Sequence, residues 1–139
     1  MYLSYTDYQN MGGTLDEATF ANLEFEAESI INWYTFNRLK KETEMPTEVT
    51  RLMYYLIDKL DKLLKAQDSA MAVGVDGTAE KAVASQSNDG VSVSYVNLSY
   101  SDLINLFRQN EANAVKRYLQ GVMNSLGHRL LYRGIYPDE

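Results

Sequence analysis

The sequence predicts a mainly α-helical fold, a small bundle of three to five helices with a central β-hairpin or long loop. Two observations support this prediction: apolar residues recur at helical spacing over three long stretches, and a turn-rich stretch with two-residue alternation separates the last two. The chain has 139 residues, of which 45% are hydrophobic and 23% are charged. These values are ordinary for one globular domain, so residues 1–139 are predicted to form a single domain.

A short helix is predicted over residues 3–11. Ser4 and Thr6 are both suitable N-caps, because a hydroxyl oxygen can accept a hydrogen bond from a free amide of the first turn. Gly12-Gly13 is expected to end this helix, since glycine adopts positive φ angles without a steric penalty.

The second predicted helix runs from about Asp16 to Arg38. Thr14 and Glu17 have the spacing of a capping box at its start. Its predicted core face consists of Phe20, Leu23, Ala27, Ile30, Ile31 and Tyr34.

The third predicted helix follows Pro46, with Thr47 as the expected N-cap. Its apolar face is the most regular in the chain and consists of Val49, Leu52, Met53, Leu56, Ile57, Leu60, Leu63 and Leu64. The faces of the helices are assigned to the core.

Residues 74–95 are predicted to form the hairpin or long loop. Asp76-Gly77 and Asn88-Asp89-Gly90 are turn signals, and the stretch 91–95 alternates with period two, as a half-buried strand does. The stretch 82–86 is a candidate partner strand.

After Asp102 the helical spacing returns in Leu103, Ile104, Phe107, Val115, Tyr118, Leu119 and Val122. The polar stretch 109–113 leaves open whether this region is one helix or two. The chain then ends in an apolar segment interrupted by glycine, over about residues 129–139.

Composition disfavours several classes of protein. Thirteen basic and nineteen acidic residues give a net charge of −6, and nucleic-acid binding by counterion release needs a basic stripe instead. An acidic wall that DNA passes without binding stays possible. The chain has no cysteine, no apolar run long enough for a membrane helix and no signal-peptide pattern, so we expect a soluble cytosolic product.

No catalytic, metal-binding or cofactor-binding constellation is predicted. His128 is the only histidine and has no orienting partner nearby in sequence, so it is interpreted as a surface or packing residue. Asp58 and Asp61 have the spacing of carboxylate metal sites but alternate with lysines, which favours a solvated face. Glu24, Glu26 and Glu28 are interpreted in the same way. The chain is therefore predicted not to be an enzyme.

Eleven tyrosines are the compositional oddity of the sequence. Tyrosine is enriched at protein interfaces, where its ring is buried and its hydroxyl meets a polar rim. Five of them lie in terminal segments, which are usually polar and frayed when unattached: Tyr2, Tyr5, Tyr8, Tyr132 and Tyr136. Both ends are expected to dock, either on the same domain or on a partner.

In order along the chain, a Tyr-x-x-Tyr pair before Gly12-Gly13, a helix carrying Phe20 and Arg38, a second helix, the hairpin at 86–95 and the closing segment 130–136 form one pattern. This pattern resembles the head–tail connector (adaptor or head-completion) proteins of long-tailed double-stranded-DNA phages and prophages. The likeness covers nearly the whole chain.

The resemblance implies a structural virion protein at the head–tail junction, present in the host cytoplasm during assembly. About a dozen copies would form a ring that binds the portal protein after DNA packaging and offers its other face to a stopper or tail-completion protein, with DNA only as passing cargo. The implied portal-binding residues are Leu130, Leu131, Tyr132, Arg133, Ile135 and Tyr136. The candidates for a subunit interface or lumen loop are Tyr5, Tyr8, Asp76, Asn88, Asp89, Val91, Val93 and Tyr95. A generic helical interaction module, such as a regulator or assembly adaptor, is the alternative.

Overall fold

The structure, a computed structural model, describes residues 1–75 and 100–139 and is mainly helical there, as predicted. Its elements are α1 (Tyr5–Asn10), α2 (Glu17–Tyr34), a 3-10 turn (Arg38–Lys41), α3 (Thr47–Val75) and α4 (Tyr100–Leu119). The described residues contain no β-strand, only an isolated antiparallel bridge between Met123 and Arg129. The predicted turn and strand residues of the hairpin, from Asp76 to Tyr95, lie outside the described residues.

The chain divides into two compact units, and α3 and α4 each contribute residues to both. The first unit comprises residues 1–60 and 111–139, and the second comprises residues 61–110. The core of the first unit includes the fully buried Phe20, Leu23, Ile31, Leu39, Leu52, Leu56, Ile57, Leu119 and Leu130. In the second unit no described side chain is fully buried, and Lys65 forms an ion pair with Asp61 at 2.9 Å.

Helix α1 is capped at both ends, as the sequence predicts. The Ser4 hydroxyl accepts a hydrogen bond from the Asp7 amide at 3.1 Å. At the other end Gly12 has a φ of +102°, and the Gly13 amide donates to the Tyr8 carbonyl at 3.0 Å. A β-carbon on Gly13 would overlap the Tyr8 ring, so this close approach requires glycine.

The start of α2 differs from the predicted capping box. Asp16 is the N-cap, because its carboxylate accepts from the Thr19 amide at 3.1 Å and from the Thr19 hydroxyl at 2.6 Å. These hydrogen bonds lower the pKa of Asp16. A carboxylate at this position also interacts favourably with the helix dipole, which a Thr14 hydroxyl does not. The predicted capping box of Thr14 and Glu17 was therefore wrong.

Helix α2 ends at Tyr34, four residues before the predicted end at Arg38. The Asn37 amide donates to the Asn32 carbonyl at 2.9 Å, which is the six-to-one bond of a Schellman turn. Phe36 and Asn37 have φ angles of +54° and +60°. A left-handed conformation costs a residue other than glycine about 1–2 kcal/mol, so this turn is strained.

Helix α3 follows its predicted apolar face with two differences. The buried stripe of α3 runs from Val49 to Leu60 and does not include Leu63 or Leu64. Thr47 is the first residue of the helix and not its N-cap.

On the predicted face of α4, Val115 and Leu119 are buried, whereas Leu103, Ile104 and Phe107 are only partly buried. Helix α4 continues through residues 109–113, so one helix is present where two were also considered.

The N-terminal segment packs on α2 through a buried carboxylate. The Tyr2 amide donates to Glu24 Oε1 at 2.9 Å, and the Tyr2 hydroxyl donates to Asn32 Oδ1. Glu24 is only 4% exposed, and burial raises the pKa of its carboxyl group. The interpretation of Glu24 as a solvated residue was wrong, because the chain folds back over this face of α2.

Replacement of Gly13 by alanine is expected to lower the free energy of unfolding by about 1–3 kcal/mol, because the new methyl group must displace the Tyr8 ring. Urea unfolding measures this loss. Gln9→Ala is the control, since it only shortens an exposed side chain of the same segment. Equal effects of the two substitutions would contradict the close approach at Gly13.

Replacement of Glu24 by glutamine is expected to raise the free energy of unfolding at neutral pH, because the buried position no longer holds a charge. The folded-state pKa lies above the ordinary 4.5, so the unfolded chain releases this proton first as the pH rises. The wild type therefore loses stability from about pH 4.5 upwards, through the raised pKa, and below that range the two proteins converge. Urea unfolding of both proteins at neutral pH and at a pH below about 4.5 tests this prediction. The exposed Glu26→Gln serves as the control. A variant that is less stable at neutral pH would refute the prediction.

Candidate docking site

The segment after α4 folds into a compact loop without regular secondary structure. The Asn124 amide donates to the His128 carbonyl at 2.8 Å, and the Leu130 amide donates to the Val122 carbonyl at 3.0 Å. The Asn124 side chain accepts a further bond from the His128 amide at 2.8 Å. Gly127, with a φ of +81°, allows the chain to reverse between these bonds.

Arg38 holds the rest of this segment through its guanidinium group. Its side chain is only 4% exposed, and its Nε donates to Glu139 Oε1 at 2.6 Å. Its two terminal nitrogens donate to four main-chain carbonyls, those of Arg129 at 3.0 Å, Leu130 at 3.1 Å, Tyr132 at 2.6 Å and Gly134 at 2.8 Å. One buried side chain therefore satisfies most of the carbonyl groups of residues 129–134.

Aromatic rings surround the guanidinium group. Its central carbon lies 5.2 Å from the centroid of the Phe36 ring, 5.1 Å from that of Tyr136 and 6.0 Å from that of Tyr132. Tyr136 also stacks on His128, with ring centroids 3.9 Å apart. Attraction between a cation and an aromatic face strengthens when water is excluded, so this shell adds to the hydrogen bonds.

The charge of Arg38 is balanced by Glu139. A buried charge is costly unless it is paired and hydrogen-bonded, and Glu139 supplies both. The hydrogen bond from Arg38 lowers the pKa of the Glu139 carboxyl group. His128, which is 7% exposed, lies beside this pair, and its Nε2 is 2.7 Å from Asp138 Oδ1. His128 is thus a packing residue of the loop.

Apolar side chains of the same segment point into solvent. Ile135 is 84% exposed, Leu126 is 66% exposed, and Met123 and Tyr132 are each 49% exposed. We call these four residues the C-terminal apolar surface. Aliphatic and aromatic side chains that are fixed in position and open to water are typical of protein docking sites.

The structure separates the six predicted portal-binding residues into two groups. Leu130 is completely buried and belongs to the core of the first unit, so it has no surface for a partner. Leu131, Tyr132, Arg133, Ile135 and Tyr136 keep partial or full exposure.

The two predicted interface residues of the N-terminal segment pack within their own unit. The Tyr8 ring is 5% exposed and lies 4.8 Å from Phe20 and 5.6 Å from Tyr54, centroid to centroid. The Tyr5 hydroxyl donates to the Leu15 carbonyl at 2.9 Å, and its ring keeps partial exposure. Tyr8 therefore packs within its own unit, which is the first of the two arrangements expected from the sequence.

Two features of this region were not predicted from the sequence. One is the role of Arg38, and the other is a row of exposed aromatic residues on α2: Phe25 at 71%, Trp33 at 75% and, just after the helix, Phe36 at 50% exposure. Phe25 and Trp33 lie eight residues apart on the face opposite Phe20 and Ile31. This spacing was the signal that could have identified the row.

Among residues 1–75 and 100–139, no group of histidine, aspartate or glutamate side chains is arranged to hold a metal ion. No helix in that part of the chain is both long and apolar enough to cross a membrane. Comparison with protein-family models, curated proteins and solved structures found no match.

Replacement of Arg38 by alanine is expected to lower the free energy of unfolding by about 3–5 kcal/mol, because it leaves a partner carboxylate and several carbonyls without donors. Lysine keeps the charge but cannot reproduce the planar fork, so Arg38→Lys should also lose stability. Urea unfolding measures both losses, and the exposed Arg133→Lys serves as the matched control. An Arg38→Lys variant as stable as the wild type would contradict the claim that the planar guanidinium group holds the segment.

Proposed function

We propose that this chain is a structural joining protein, the subunit of an adaptor ring that connects a phage portal to the tail or to the next connector protein after DNA packaging. The joining role is supported by the C-terminal apolar surface, because Arg38 holds the main chain next to Tyr132 and Ile135 in place through hydrogen bonds. The assignment to a phage head–tail junction rests on the resemblance of the ordered sequence pattern to connector proteins.

The hydrogen bonds of Arg38 support a docking role, because they order the segment before binding and so lower the entropic cost of binding. A flexible tail that orders on binding loses part of its interaction free energy to that ordering. Here the main chain of residues 129–134 is already held by Arg38, and Ile135 follows it directly. A partner that covers Ile135 and Tyr132 gains apolar burial without first ordering the main chain that carries them.

In this proposal the partners are further copies of the chain, the portal protein and a stopper or tail-completion protein. The site of action is the virion head–tail junction, reached after assembly in the host cytoplasm. The net charge of −6 suits a conduit through which DNA passes without adhering, because like charges repel. The chain has no catalytic role in this account and needs no cofactor.

The alternative is a helical interaction module without catalytic activity, such as a regulator or assembly adaptor. The exposed aromatic row on α2 favours it as much as the connector role, because exposed rings of this size are characteristic of protein interfaces and do not specify a portal. The two functions differ in whether the chain binds portal particles encoded beside its own gene.

The purified chain is expected to cosediment with those portal particles in a fixed stoichiometry. Ile135→Asp should weaken this binding about tenfold or more, because it places a charge at the most exposed residue of the apolar surface. The matched control is Met11→Asp, the same kind of change at an exposed residue of the N-terminal segment.

Circular dichroism of the two variants checks that both remain folded. Absence of binding by the wild type would refute the portal-adaptor function and favour the alternative. Portal binding that is equally strong in Ile135→Asp would place the contact elsewhere on the chain.

A further inference from the structure

The exposed aromatic residues of α2 lie on one face of the helix. Phe25, Ser29 and Trp33 follow at i, i+4 and i+8 and so lie on one face of the helix. The hydroxyl of Ser29 donates to the Phe25 carbonyl at 2.9 Å, so its hydrogen-bonding need is met within the helix. We call these residues, with Phe36 beyond the helix end, the α2 stripe.

The α2 stripe exposes its largest side chains almost completely. Trp33 and Phe25 are 75% and 71% exposed, and the Trp33 ring packs edge-to-face with Tyr34, at a centroid distance of 4.9 Å. Phe36 remains half-exposed in a left-handed position that glycine would fill with less strain. Tryptophan and phenylalanine exposed to this extent are characteristic of binding surfaces.

The charge of α2 restricts what can cover the stripe. The helix contains four glutamates and no lysine or arginine. Glu24 is buried and Glu28 pairs with the N-terminal ammonium at 3.3 Å, so the exposed Glu26, adjacent to Phe25, supplies the negative charge beside the stripe. A partner surface that combines aromatic rings with positive charge satisfies both the apolar stripe and this acidic flank.

The chain itself carries such a surface, between α3 and α4. The rings of Tyr55 and Tyr118 lie 6.0 Å apart, centroid to centroid. The Lys59 ammonium is 5.4 Å from the Tyr55 centroid, and the Arg117 guanidinium carbon is 5.5 Å from that of Tyr118. The exposed Lys116 adds further positive charge. We call these residues the basic-aromatic patch.

We propose that the α2 stripe of one copy packs on the basic-aromatic patch of a second copy. The stripe and the patch share no residue and belong to the same unit, so one copy can use both at once. A contact between two different surfaces is heterologous and continues from copy to copy, closing into a ring when the rotation permits. This inference rests on the proposed function, because it assigns the contact surfaces for self-assembly.

The test is sedimentation velocity of the full-length chain over a range of concentrations. The wild type is expected to associate beyond a dimer. Trp33→Ala removes the stripe's anchor, Arg117→Ala removes charge from the patch, and each alone is expected to weaken association about tenfold or more. Arg51→Ala and Met11→Asp change exposed residues outside both surfaces and should associate like the wild type.

A mixture of the two variants provides the sharpest result. Trp33→Ala keeps an intact patch and Arg117→Ala keeps an intact stripe, so the mixture should form a one-to-one dimer that does not grow. A wild type that stays monomeric at every concentration, or that stops at a dimer, would overturn the inference. So would unchanged association of the single variants, or a mixture that associates no better than its components.

These outcomes are separable from those of the proposed function. Portal binding without any effect of Trp33→Ala on self-association would refute the inference and leave the adaptor function standing. Recovery of the dimer in the mixture without portal binding would support the inference and refute the portal assignment.

Discussion

Arg38 donates hydrogen bonds to four main-chain carbonyls and to the Glu139 carboxylate from a side chain that is almost completely buried. Residues 129–139 have no helix or strand to satisfy these carbonyls, so a side chain performs the task that secondary structure performs elsewhere. Breaking this interaction would leave both a buried charge and several polar groups without partners. The positions of the exposed Tyr132 and Ile135 depend on it.

The strained turn after α2 places Arg38 where it is needed. Helix α2 ends at Tyr34 because the chain enters a left-handed turn at Phe36 and Asn37, and a 3-10 turn then begins at Arg38. A strain of about 1–2 kcal/mol per left-handed residue persists only when other interactions overcome it. The bonds of Arg38 provide such interactions, and the same turn places the half-exposed Phe36 ring 5.2 Å from the guanidinium carbon.

The local elements could be predicted from the sequence because their signals are local. Helical spacing identified the core faces of α2 and α3, and the glycine pair identified the end of α1. The N-cap of α2 was misassigned, since Thr14 and Asp16 are both good capping residues and only geometry decides between them. The length of α2 was overestimated, because an ordinary phenylalanine occupies a turn position where glycine is the usual signal.

The site was harder to predict, since its central contacts are not local and its acceptors have no sequence signature. The groups bound by Arg38 are 91 to 101 residues further along the chain, and most of them are main-chain carbonyls, which every residue possesses. Leu130 and Ile135 look alike in sequence, yet one is buried and the other is 84% exposed. That difference is set by the fold of the segment around Arg38.

The central claim is that the C-terminal segment is part of the folded unit before any partner binds. Hydrogen–deuterium exchange of the isolated chain, followed by NMR at the amide of Leu130, tests it most directly. The Leu130 amide donates to the Val122 carbonyl at 3.0 Å, so it is expected to exchange as slowly as the amides of the α3 core around Leu56. Exchange of Leu130 at the rate of an unstructured peptide, while Leu56 stays protected, would contradict this account.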